Sequence, residues 1–449
     1  MGGVVDEGDS EGCVRARYDS PMREPTAAAR LDEAVRESFE RAQVSLLREL
    51  VELPSATREV DDVNLASRRL DSAARAAGLG VRRVPAGPHE VGEHRVYATP
   101  AARDEAAPAL LLVGHIDTVF PRAMGFFGMR READRAMGPG VLDMKSGLTE
   151  MLFALEAVRA VDAAAYARLP VRIVVVSDEE IGSPSSRALF DSLAPHAAAA
   201  LVFEAGRAHD HIVTRRRGGG LFTIHAEGRA AHAGNRHAEG VSAIHAISVV
   251  VLRLEALTDY ARGLTVSVGL ASGGSAKNTV PEHAEIGVDV RFSSAADVVV
   301  LREALERIAR DPFEGFEVRW LNERVLRAKV RVEGGVTRPP MEPSERTHAL
   351  RLAYEPHAAA VGLGIGEAPL QGGGSDANLL ASLGVPCLDG LGPFGEFFHE
   401  TREWCSLSSL ERRTQALARF LHARAVGACT VGSPDERSGV APSFTTRTG

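Results

Sequence analysis

Cysteine is scarce in this chain: Cys13, Cys387, Cys405 and Cys429 are four residues in 449, and none forms a CxxC pair. That excludes a disulfide scaffold and a cysteine-based metal ribbon, and leaves reduced thiols in a cytoplasmic protein as the simplest expectation. Long apolar runs are missing as well. No stretch approaches the ~18 consecutive apolar residues of a membrane-spanning helix, so no membrane partner is expected. Basic charge is in deficit, with a formal net charge of −8. Nucleic acid is therefore not expected as a partner, because phosphate binding needs a concentrated basic surface. Arg215-Arg216-Arg217 is the local exception, too short for such a surface, and is expected as a solvated turn. Met1 to Thr26 has several acids and no apolar segment, so a secretory signal is not expected. Asp6 stands where myristoylation after Met1-Gly2 needs Ser or Thr.

What remains is the balance of an ordinary globular enzyme, 45% apolar and 25% charged. At ~150 residues per domain the length suggests two or three domains. Residues 1–28 and 430–449 read as disordered tails. Between them, Leu31 to Leu53 is apolar at helical spacing and is stopped by Pro54, and a second helix is expected over Val63 to Ala77. Strands then alternate with helices: strands at Ala109 to Val113, Val171 to Val176 and Ala198 to Phe203, helices at Ser146 to Ala160 and Ser185 to Leu193. That is the pattern of an α/β fold whose mostly parallel sheet is covered on both faces.

The pattern changes after Thr214. Strands at Leu221 to Ala226, Leu264 to Leu270, Ala284 to Phe292 and Phe316 to Leu321, with helices at Val241 to Leu257 and Ala295 to Arg310, give the βαββαβ order of a ferredoxin-like unit. In Ala284 to Phe292 apolar residues alternate with Glu285, Asp289 and Arg291, so one sheet face is covered and the other open. From Thr347 the first pattern returns, with helices at Thr347 to Gly362, Asp376 to Leu383 and Leu407 to Ala425 and a strand at Val385 to Leu388. The expected organisation is a catalytic domain in two parts, 29–213 and 339–429, interrupted by an inserted unit at 214–338.

The chemistry is carried by scattered acids and histidines. His115, Asp143, Glu179-Glu180, Glu204 and His399 are metal-type ligands, and three of these groups follow the buried strands directly. In a parallel sheet the carboxyl ends of the strands meet at one edge, where distant ligands converge. If His115, Asp143, Glu180, Glu204 and His399 hold two divalent ions with Asp143 bridging, each ion has one imidazole, one terminal carboxylate and half of the bridge, leaving a position open for water. Two ions bring +4 against three carboxylates, and the residual charge acidifies water and polarises a carbonyl. The oxygen and nitrogen donors suit two Zn²⁺ per chain, with Co²⁺ or Mn²⁺ as alternatives. Asp117, two residues beyond His115, is placed to accept the second imidazole N–H. Neighbouring Glu179 and Glu180 cannot both point inward from a strand, so the chain must turn there, leaving Glu179 free as general base.

These motifs resemble a known family: the two-zinc, co-catalytic amidohydrolases that include glutamate carboxypeptidase, acetylornithine deacetylase, succinyl-diaminopimelate desuccinylase and aminoacylase. Gly114-His115-Ile116-Asp117-Thr118, Gly138 to Lys145, Ser177 to Ser183, Phe203-Glu204 and Phe398 to Glu403 carry the resemblance, which spans about residues 40–425. Lys145-Ser146-Gly147 departs from the family's more usual paired glycines. The resemblance implies a zinc-exopeptidase sheet with an inserted lid and dimerisation domain, a homodimer, and a cis peptide after Asp143. It also implies that His232 steadies the oxyanion, often from the partner subunit, and that Asn278 and Arg291 bind the substrate amide and carboxylate. By the same likeness the Gly-rich loop with Gly373 and Ser375 faces the substrate, and Asp376 is expected as the N-cap of the next helix. The implied reaction is cleavage of the amide bond of a small peptidyl or N-acyl amino acid with a free carboxylate. An N-acyl-amino-acid deacylase is one alternative, and a non-catalytic carboxylate-binding scaffold is another.

Overall fold

The computed structural model describes Gly2, residues 25–314 and residues 327–428. The expected tails lie almost wholly outside the described residues; the first helix begins at Ala27, where Thr26 caps the Ala29 N–H at 3.2 Å. The long amphipathic helix expected from Leu31 is present as Ala27–Ser38 and Val44–Glu52, joined by a π-helical turn at Phe39–Gln43.

A six-stranded sheet forms the larger layer. Its spatial order is Gly80–Val84, His94–Ala98, Val171–Val176, Ala109–His115, Ala197–Val202, Cys387–Leu388. The last four run parallel, and the first two, which gave no clear sequence signal, add an antiparallel edge. Alternation along one strand explains why helices cover both faces. Leu110 and Leu112 join one apolar cluster with Leu148, Met151, Leu417 and Phe420. Leu111 and Val113 join another with Leu189, Phe190 and Leu380. Each fully buried Leu is worth ~1.5–3 kcal/mol, so this strand ties both layers together. The helix Ser146–Val161 is apolar on nearly every side because it is sandwiched between the sheet and the helix Leu407–Ala425.

The second sheet has four antiparallel strands in the order Thr265–Gly273, His283–Phe292, Gly218–Glu227, Lys329–Arg338. In chain order that is 2-3-1-4, the ferredoxin-like arrangement. The expected strand Phe316 to Leu321 lies outside the described residues, and the fourth strand is Lys329–Arg338. Gly334 and Gly335 interrupt that run and hide its alternation from a sequence reading. Ile286, Val288, Val290 and Phe292 pack beneath the helices Ala243–Glu255 and Ala295–Arg310. His225, Glu285, Asp289 and Arg291 lie on the opposite, polar face, as the alternation requires.

A third, smaller sheet was not anticipated. Gly395–Glu396, Trp404–Ser406, Arg135–Met137 and Arg130–Glu132 pair in that order. It ties the segment containing His399 to the turn that leads into Asp143. No helix among the described residues is long and apolar enough to cross a membrane.

Cys387 lies in the parallel sheet and Cys405 in the small one, both fully buried and unbridged. Burial pushes both thiols far above their ordinary range. Native protein should therefore leave these two thiols unlabelled by an alkylating reagent at mildly alkaline pH, and denaturant should expose both. Mass-spectrometric mapping of labelled peptides checks this, and fast native labelling of either would contradict the packing.

Candidate metal centre

The strand ends deliver the ligands. His115 is the last residue of Ala109–His115, Glu179 and Glu180 sit in the 3-10 turn Glu179–Ile181 after Val171–Val176, and Glu204 follows Ala197–Val202 by two residues. All lie at the carboxyl edge of the parallel strands. Asp143 enters from the turn before the helix Ser146–Val161, and the Asp143–Met144 peptide is cis. Gly147 lets that helix approach the sheet: a Cβ there would lie 2.5 Å from the Phe203 carbonyl oxygen. His399 comes from the small sheet's loop with φ of 65°, a left-handed conformation that residues other than glycine adopt infrequently.

Asp143 stands between the two imidazoles. Its Oδ1 is 3.1 Å from His115 Nε2 and its Oδ2 is 3.2 Å from His399 Nε2. His115 also faces Glu204 Oε1 at 3.9 Å, and His399 faces Glu180 Oε2 at 3.0 Å. The result is two half-sites, His115 with Glu204 and His399 with Glu180, sharing one aspartate. Ligand atoms of His115, Asp143 and Glu180 lie within 4.8 Å of one another, as do those of His115, Glu179 and Glu204. His115 is 1% exposed and the His399 side chain 46%, so the site opens on the His399 side.

This donor set fits divalent cations. Burial pushes the Glu180 carboxyl up, and burial together with Asp143 pushes Glu204 well up. Burial works against a charged His115, yet hydrogen bonds to the Asp117 and Asp143 carboxylates hold its pKa well above the ordinary value. Hydrogen bonds to Asp143 and Glu180 raise His399 to about 10. Cation binding at these atoms would displace whatever protons they carry, because metal ligands bind deprotonated.

Asp117 is fully buried and organises the floor. Its carboxylate accepts the Thr57 hydroxyl at 2.8 Å and the backbone N–H groups of Glu179 and Glu180, each at 3.3 Å. The His115 Nδ1 lies 2.9 Å from the Asp117 backbone oxygen and 3.4 Å from its carboxylate, so the carbonyl is the nearer acceptor expected to fix the tautomer. Glu179 is not free. Arg338 donates to its Oε1 at 2.6 Å and to Asp376 at 3.1 Å, while burial raises the Glu179 pKa to about 8.

Other expected residues lie elsewhere. Ser375 and not Asp376 is the helix N-cap; it forms a capping box with Asn378 and donates to Asp389 at 2.5 Å. Gly373 is exposed, and its carbonyl accepts from Arg216 at 3.0 Å. Arg216 is itself buried against Asp389 at 2.6 Å, so the Arg215-Arg216-Arg217 run is not simply a solvated turn. Arg291 lies on the polar face of the antiparallel sheet, bound to Asp289 at 2.8 Å. His232 and Asn278 are exposed and adjoin through a short ladder in which Ala233 N–H donates to the Asn278 carbonyl at 2.9 Å. Among the described residues no hydrogen bond or ion pair joins Arg291, His232 or Asn278 to the histidine and carboxylate cluster.

Two residues of consequence had no sequence signal of their own. Arg338 ends a strand just before Pro339-Pro340. Glu403 is fully buried four residues after His399, and its carboxylate accepts the N–H groups of Leu142 at 2.7 Å, Asp143 at 2.9 Å and Gly140 at 3.1 Å. One side chain thereby fixes the turn that aims Asp143. Glu403→Ala should lower divalent-metal affinity by about 10- to 100-fold, the usual cost of losing an outer support. Chelator competition on refolded protein measures it, and wild-type affinity would remove Glu403 from this role.

Known proteins show the same architecture. The model for Peptidase family M20/M25/M40 matches residues 111–423. Carboxypeptidase G2 of Pseudomonas sp. (strain RS-16) is 28% identical over 386 residues, covering 85% of this chain and 88% of that protein. Among solved structures, a tripeptidase from Staphylococcus aureus superposes with a TM-score of 0.68 at 21% identity, covering 86% of this chain and 99% of its own. Bacillus subtilis YXEP, described as a dinuclear metal-binding peptidase, has a TM-score of 0.64 at 15% identity, covering 87% and 99%.

Proposed function

Since the chain belongs to peptidase family M20/M25/M40 and is a metal-dependent peptidase or amidohydrolase, we propose that it is a two-zinc exopeptidase of the glutamate-carboxypeptidase type. It cleaves the amide bond that joins a small acyl or peptidyl group to an amino acid with a free carboxylate. The observation that carries this reading is Asp143 set between two imidazoles, one carboxylate oxygen toward each. His115, Asp143 and Glu204 would hold one ion, and His399, Asp143 and Glu180 the other. Bound ions would acidify water and polarise the scissile carbonyl. The identity of the relative carboxypeptidase G2 supports the substrate class.

The chain's own side chains do the rest. Glu179, turned away from Arg338, takes a proton from water and delivers it to the leaving nitrogen, a contribution of roughly 10²- to 10⁴-fold. Asp117 keeps the backbone of Glu179 and Glu180 in place. Asn278 and Arg291, from the antiparallel unit, receive the substrate amide and carboxylate, and His232 the developing oxyanion. The Gly373 to Ser375 loop lines the approach to the site.

A homodimer through that unit is supported by its surface. Thr265–Gly273 is an edge strand on which Leu270 is 75% exposed, and Leu252 on the neighbouring helix Ala243–Glu255 is 61% exposed. An open edge with adjacent apolar groups is a pairing surface.

Glu179→Ala should retain two metal equivalents by elemental analysis and lose at least 10³-fold in kcat on peptidyl and N-acyl substrates alike. Substantial residual turnover would take the base role from Glu179. In size-exclusion chromatography with light scattering, the protein should elute at twice the 47.8 kDa chain mass. Leu270→Arg should shift it to the monomer and, if His232 acts across subunits, abolish activity. A wild-type monomer with full activity would overturn the dimer.

A further inference from the structure

His94 lies outside the ligand set, as the first residue of the antiparallel strand His94–Ala98, yet it touches both ends of the loop that carries Glu179 and Glu180. The residue is 1% exposed. At the loop's entrance the Ser177 N–H points at its Nδ1 from 3.3 Å. At the exit its Nε2 lies 2.9 Å from the Ser185 hydroxyl oxygen.

The protons around the ring fix its form. Ser185 donates its hydroxyl proton to the Ala86 carbonyl at 2.7 Å, and Ser177 donates its own to the Gly92 carbonyl. A backbone N–H cannot turn away, so Nδ1 is the bare nitrogen that accepts from Ser177, and the ring proton sits on Nε2 and goes to the Ser185 oxygen. A second proton, on Nδ1, would face the Ser177 N–H, donor against donor. Burial lowers the His94 pKa, with Arg95 adding repulsion and Asp178, Asp376 and Asp117 opposing the fall, in keeping with a neutral ring. Asp178 ties the loop to itself, accepting the N–H groups of Ser185 at 2.6 Å and Ser186 at 3.1 Å. Among the described residues, the His94 ring is the one side chain that hydrogen-bonds Ser177 and Ser185 together.

We propose that His94, as the neutral Nε2–H tautomer, is a positioning residue that clamps the two ends of this loop and so presents Glu180 to His399 and Glu179 to the attacking water. This rests on the two-metal amidohydrolase reading for its catalytic consequence, while the clamp itself does not.

Hydrogen exchange on the full-length, metal-free protein reads the clamp directly. His94→Phe and the milder Ser185→Ala should each speed exchange several-fold at the amides of residues 179–186, and leave the strand Ala109–His115 and the helix Ser146–Val161 at wild-type rates. His94→Gln, which keeps a donor toward Ser185, should recover part of the protection lost in His94→Phe. Because both changes break one clamp, the double variant should exchange no faster than His94→Phe alone. Zinc titration of the same proteins reads the consequence. Each single variant should weaken one of two zinc sites about 10- to 100-fold, the usual cost of losing an outer support, and spare the other. In a Glu180→Ala background, His94→Phe should leave the remaining site unmoved. Unchanged loop exchange in Ser185→Ala overturns the proposal, as does zinc affinity lost equally at both sites. If wild type binds fewer than two zinc ions, the two-metal reading falls, and the exchange data still decide the clamp: faster exchange confined to the loop keeps it, and wild-type exchange removes it.

Discussion

The structure depends on one carboxylate shared between two imidazoles. Asp143 cannot meet His115 and His399 together unless three pieces of chain, separated by up to 284 positions between His115 and His399, are held in register. The parallel sheet fixes His115, the first turn of the buried helix Ser146–Val161 fixes Asp143, and the small four-stranded sheet fixes His399. Glu403 joins the last two, since it belongs to the His399 segment and accepts the backbone N–H groups of Gly140, Leu142 and Asp143. A fault in any of these supports reaches the shared aspartate at once.

Around that centre the protein buries charge in pairs. Glu179 with Arg338 and Asp376, and Arg216 with Asp389 and Ser375, each bring a segment from before the antiparallel unit against one after it or at its end. Lys145 is buried too, donating to the Leu53 carbonyl at 2.9 Å, and burial lowers its pKa to about 7. Buried pairs of this kind contribute little net stability, because desolvation offsets attraction. Their effect is on geometry: they hold the loops that border the cleft to one arrangement.

Much of this was legible beforehand for a physical reason. Buried parallel strands are unbroken apolar runs, and the ligands stand directly after them, so His115, Glu180 and Glu204 could be located from hydropathy and placed at one sheet edge. The helix Leu407–Ala425 and the strand Val171–Val176 have the bounds that their periodicity gives. What stayed hidden depends on contacts across the chain. Glycines mask the alternation of Lys329–Arg338. Glu403 and Arg338 look like surface charges until the fold buries them. Ser375 reads as a ligand-facing loop residue, yet its hydroxyl is turned inward to cap a helix and meet Asp389. Spacing also says nothing about which acid will meet an arginine, so Glu179 read as unpaired.

The Cys387–Leu388 strand completes the parallel sheet only after the chain has passed through the whole antiparallel unit. During synthesis from the amino end, His115, Asp143, Glu180 and Glu204 emerge from the ribosome long before His399 and Glu403. The early segment must carry an uncompensated group of acids and an open sheet edge until the His399 segment arrives, roughly 10–40 seconds later at elongation rates of about 5–20 residues per second. Pairings so distant in sequence form slowly. The order of emergence thus keeps the nascent chain from assembling a complete cleft until its His399 segment has been made.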